Sequence, residues 1–112
     1  MRLLLDTHAL LWYLGGSDKL SARARAEIES PGNTLLFSLA GAWEIAIKLS
    51  LGKLHLSVPF ERLIPGELRA NGIELLPISA AHAAAIVDLP MHHRDPFDRM
   101  LVVQGVKEGR HS

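Results

Sequence analysis

The sequence predicts an α/β fold, a parallel sheet covered by helices on both faces. Three observations predict it. The short runs Arg2–Leu5, Thr34–Phe37 and Ile73–Ile78 are almost wholly apolar, as strands buried on two faces are. Stretches of helical apolar spacing fill the intervals between them. Capping residues and Gly or Pro stops fall at the joins, and alternating strands and helices favour a parallel sheet.

Each element has its own local reason. Arg2–Leu5 is a strand ending at Asp6, and Thr7–Leu14 is a helix stopped by Gly15-Gly16. Ser21 caps a second helix that runs to about Ser30 and is closed by Pro31-Gly32. After the strand Thr34–Phe37, Ser38 caps a long helix to about Ser50, which Gly52 ends. Pro59–Ala70 reads as a helix interrupted at Pro65-Gly66, and Asn71-Gly72 turns the chain into the strand Ile73–Ile78. Ser79 caps an alanine-rich helix to Val87, and Asp95-Pro96 opens a last helix to about Glu108.

At 112 residues the chain is read as a single domain, residues 1–112, without room for a second. Lys and Arg number 12 against 12 Asp and Glu, which excludes a generally basic nucleic-acid binder. It does not exclude a nuclease, because a metal ion brings positive charge to the phosphate. Cysteine is absent, which removes disulfides, zinc–thiolate sites and thiol nucleophiles. The apolar N-terminal run is broken by Asp6 and His8, unlike a signal peptide, and no apolar stretch is long enough to span a membrane.

Carboxylates recur where such a fold binds ligands, beyond the carboxyl ends of its strands. Asp6 ends the first strand; Ser38 ends the second, with Glu44 on the helix that follows; Asp95 and Asp98 open the last helix. Three separated segments thereby bring acids toward one edge. Hard cations such as Mg²⁺ take oxygen ligands of this kind. Each acid also has a structural reading. Asp6 and Asp95 are N-cap residues by position, Asp98 holds the capping-box place, and Glu44 with Lys48 has helix ion-pair spacing. The helix carrying Glu44 is apolar nearly all round, which turns Glu44 toward a cleft. His92-His93 read as a solvated loop pair, His8 and His82 as packing or surface residues, and Trp12 and Trp43 as core. Lys19, Arg23 and Arg25 read as a solvated face.

In order and spacing, several blocks of this sequence resemble PIN domains of the VapC toxin type. They are Leu3-Leu-Leu-Asp-Thr-His-Ala-Leu-Leu-Trp12, Ser38 with Trp43-Glu-Ile-Ala-Ile-Lys48, Leu51-Gly-Lys-Leu54, Leu76-Pro-Ile-Ser79 with His82-Ala83, and His93-Arg-Asp-Pro-Phe-Asp-Arg99. The resemblance implies a Rossmann-like three-layer α/β/α sandwich with a central parallel sheet, and an acidic pocket that binds Mg²⁺ or Mn²⁺ and hydrolyses RNA. It implies Asp6, Glu44 and Asp98 as the catalytic and metal-holding acids, with Asp95 the runner-up to Asp98. Thr7 and Ser38 would orient these groups or water, and Arg99 would contact phosphate or pair with a pocket acid. The resemblance also implies a small antitoxin partner of the VapB type, a homodimer and a prokaryotic cytoplasmic setting. Such domains usually continue into another strand and a fourth acid; here the chain stops at Glu108-Gly-Arg-His-Ser112, so the last strand is expected to be missing. Gly105 falls inside the last helix, at a cost of about 1 kcal/mol.

The leading expectation is therefore a metal-dependent endoribonuclease toxin. The alternative is a short, weakly active or inactive module that still engages an antitoxin. A dehalogenase-like phosphatase would need an acid where His8 stands, and a receiver domain would need one where Ser38 stands.

Overall fold

The computed structural model describes residues 1–90, 95–108 and 110–111, and side chains as far as residue 106. Four parallel strands form one sheet: β1 (Arg2–Leu5), β2 (Thr34–Ser38), β3 (Ile73–Leu76) and β4 (Arg110–His111), in the order β3-β2-β1-β4. Leu3 pairs with Leu35 and Leu35 with Ile73, so the three longer strands run in step and end together. The expectation of a missing last strand is corrected at one point. Arg110 and His111 lie beside Leu3 and Leu4, because backbone groups on the outer side of β1 offer a ladder to whatever follows the last helix.

Period-two alternation divides the side chains between two cores. Leu3, Leu5, Leu35, Phe37 and Ile73 pack on one face. They meet Leu10 of α1 (Thr7–Leu14), Ile28 of α2 (Ala22–Glu29), Ala42 and Ile45 of α3 (Leu39–Ser50) and Leu68 of α4 (Leu68–Ala70). Leu4, Leu36 and Leu76 face the other way, against Leu101 of α6 (Pro96–Glu108). α5 (Ala80–Val87) packs on α6 on that side. The result is the three-layer α/β/α arrangement expected of a twice-buried parallel sheet.

Two boundaries differ from the sequence reading. β3 stops at Leu76 rather than Ile78, since Pro77 has no N–H to give the ladder. The helix expected over Pro59–Ala70 is distorted across Arg62–Glu67, where Ile64 is extended at φ −128° and ψ 111°. Pro65 causes this, disfavouring helical backbone in the residue before it. A third difference concerns packing. Trp43, expected in the core, is 59% exposed, because α3 buries Ala42 and Ile45 and turns Trp43 outward.

Candidate active site

A cavity of about 100 Å³ opens at the carboxyl ends of β1 and β2. Asp6, Glu44 and Asp98 all line it, each from a different segment. Asp6 is the residue after β1, and its Oδ1 accepts the Ala9 N–H at 2.7 Å. Asp6 is thus at once a helix cap and part of the cavity lining. Capping consumes one oxygen and fixes the rotamer.

Glu44 is held from two sides. The Thr7 hydroxyl donates to Oε1 at 2.8 Å, and Lys48 Nζ donates to Oε2 at 2.9 Å. Its side chain is only 13% exposed, and the Lys48 partner offsets the cost of that burial. Thr7 therefore ties the start of α1 to the acid on α3. Ser38 is fully buried, lines the cavity and caps α3 by accepting the Ala40 N–H at 3.0 Å.

The last helix separates the two remaining acids. Asp95 Oδ1 accepts the Phe97 N–H at 2.8 Å, so Asp95 is the helix cap and lies outside the cavity lining. Asp98 and Phe97, one step further on, are in the lining. Arg99 is not. A helix advances about 100° per residue, so the neighbour of Asp98 points elsewhere: Arg99 Nη2 donates to the Ile86 carbonyl at 3.4 Å. That contact links α6 to the end of α5. His92 and His93 lie outside the described residues.

Some lining residues carry little sequence signal. His8, read as packing or surface, lines the cavity and meets the Trp12 ring at 5.6 Å. Gly41 also lines it, against the tip of the Phe37 ring: a Cβ there would stand 2.6 Å from Phe37 Cζ. A glycine inside a helix is the one available cue to that close approach. Behind α6, Gln104 is fully buried, its amide nitrogen 3.4 Å from the Pro77 carbonyl and 3.4 Å from His82 Nδ1. His82 is buried too and completes a capping box with Ser79.

α1, α3 and α6 all begin at the cavity. Their N-terminal ends carry partial positive charge, which offsets repulsion among the acids and favours an anionic ligand. The donor set is carboxylate oxygen with neighbouring hydroxyls, a match in chemistry for a hard divalent cation. The oxygens are not drawn together: among the described residues, no three Asp, Glu or His side chains are close enough to hold a metal ion as they stand. No described helix is long and apolar enough to cross a membrane.

A family model described as PIN domain matches residues 3–110. Ribonuclease VapC16 of Mycobacterium tuberculosis (strain ATCC 25618 / H37Rv) is 40% identical over 60 residues, which is 54% of this chain and 43% of the relative. Within that match the chain spans less than half of the relative's length. The family match runs through both strand ends and all three acids of the cavity, and the chain belongs to the PIN-domain family.

Proposed function

We propose that this protein is a divalent-metal-dependent endoribonuclease, the toxin of a toxin–antitoxin pair, acting in the cytoplasm of a prokaryote. The observation that carries the reading is the convergence of Asp6, Glu44 and Asp98, from three elements, on one cavity at the carboxyl edge of a parallel sheet. The likeness to a ribonuclease over about half of the chain supports it. A VapB-type antitoxin and a second copy of the chain are the partners that this reading brings.

Asp6, Glu44 and Asp98 would hold Mg²⁺ or Mn²⁺, which supplies polarisation of water and charge neutralisation at phosphorus when bound. The residues of the chain do the rest. Asp6 lines the cavity with its Oδ1 fixed by the α1 backbone. Thr7 and Lys48 hold the Glu44 carboxylate in one orientation, so little is lost in ordering it when a ligand arrives. The three helix N-termini favour the phosphodiester's negative charge. Phe37, Phe97 and Leu101 wall the cavity with apolar surface and limit competing water.

A second reading, a module that engages the antitoxin without cleaving, is favoured by the separation of the three carboxylates. Single-turnover cleavage of a mixed single-stranded RNA pool decides between them. The nuclease reading expects cleavage that needs Mg²⁺ or Mn²⁺ and disappears in Asp6→Asn. Cleavage that survives Asp6→Asn would be contamination, and no cleavage at all would leave the binding module standing.

A further inference from the structure

We infer that Trp43 is a stacking platform for an unpaired nucleobase of the substrate, set at the rim of the acidic cavity. The inference rests on the nuclease reading for the identity of the ligand, and on the following geometry for the site. Trp43 is the most exposed aromatic side chain among the exposed large hydrophobic residues, at 59%. Leaving so large an apolar surface in water forgoes burial that a helix can usually provide. The ring is nonetheless held in place. It meets Phe97 edge to face, with centroids 5.4 Å apart and planes at 76°. Phe97 lines the cavity, and each ring is the chain neighbour of a cavity acid: Trp43 precedes Glu44, and Phe97 precedes Asp98. The ring pair therefore bridges α3 and α6, with Phe97 in the cavity lining and Trp43 the outer member.

An aromatic ring fixed by its neighbour and open to solvent stacks a base with little ordering cost. Any base offers a π face, so the platform accepts single strands without strong sequence preference. A base inside a duplex is already stacked and paired and would have to be extruded first. The ligand class is thus a single-stranded stretch, with one base on Trp43 and an adjacent phosphate over the cavity. Leu39 at the start of α3 and Leu51 just past its end are also exposed, which makes a protein surface the competing occupant. The contact of Trp43 with a cavity-lining ring favours the base.

The test uses the whole chain carrying Trp12→Phe, which leaves Trp43 as the sole tryptophan. The probe is a short single-stranded oligoribonucleotide, its versions with one abasic position each, and the same sequence as a duplex. Binding of the single strand should quench Trp43 fluorescence, and the duplex should bind more weakly. Trp43→Ala should weaken binding by roughly 5- to 150-fold, and Trp43→Phe should retain most of it. One abasic position should cost as much as Trp43→Ala, and the two losses should not add. Fully additive losses, or unchanged affinity in Trp43→Ala with its native circular dichroism, would overturn the platform. A change in self-association with unchanged RNA affinity would assign the face to a second copy and also overturn it. Quenching and coupling without any cleavage would keep the platform and sink the nuclease reading; cleavage with Trp43-independent binding would do the reverse.

Discussion

Replacing Gly41 by alanine sets two effects of known sign against each other. Alanine is favoured over glycine in a helix interior by about 1 kcal/mol. Against that, the new Cβ would stand 2.6, 3.0 and 3.2 Å from three atoms of the Phe37 ring. That ring is buried in the main core with Leu3, Leu5 and Ile45, so the free space open to it is the small cavity it lines. Overpacking of this kind costs about 1–3 kcal/mol. The net expectation is a loss of about 1 kcal/mol, and of about 4 °C in Tm for a domain of this size. Because Gly41 lines the cavity, a displaced ring should also lower RNA cleavage. Thermal melts of Gly41→Ala, Phe37→Leu and the double variant are the assay. The smaller residue 37 makes room for the methyl, so the double variant should be more stable than the sum of the single losses by about 0.5 kcal/mol or more. A Gly41→Ala protein stabilised by the full helix-propensity gain would refute the packing argument.

Other substitutions separate supporting residues from the acids. Thr7→Val removes the donor to Glu44 and should cost about 1 kcal/mol by melting, and weaken Mn²⁺ binding by about 10- to 100-fold in calorimetric titration. Asp95→Asn should leave stability within about 0.5 kcal/mol, and Asp95→Ala should cost about 1 kcal/mol, since Asn caps as Asp does and Ala does not. Ser79→Ala frees the His82 N–H from its partner and should cost about 1 kcal/mol in the same melts.

The sequence was most legible where the chemistry is local. Ser21, Ser38, Ser79 and Asp95 were readable as helix caps, and each accepts a backbone N–H within its own first turn. Capping needs only the cap residue and the next few amides, so no distant contact can overrule it. The strand ends of β1 and β2 were legible for the same reason, and with them the positions of Asp6 and Glu44. Side-chain direction on helices was harder. An α3 that is apolar nearly all round does not say which side is covered, and Trp43 fell on the open one. On α6, Asp98 faces the cavity, Arg99 faces α5 and Gln104 is buried near His82. Those assignments depend on how α6 is rotated against the sheet, which packing sets. Pro65 announced a break but not its form, and the strand at Arg110–His111 arises from the pairing that β1 offers rather than from residues of strong strand preference.

The central claim is that Asp6, Glu44 and Asp98 act as one metal site. Mn²⁺ titration of the chain and of Asp6→Asn, Glu44→Gln and Asp98→Asn, followed by calorimetry or by the ion's electron spin resonance, tests it most directly. The account predicts one Mn²⁺ bound by the unaltered chain. Each single variant should weaken binding by at least about tenfold, with double variants losing little more because the acids act together. Mn²⁺ binding unchanged in Asp98→Asn, or losses that simply add among the three acids, would contradict a shared site.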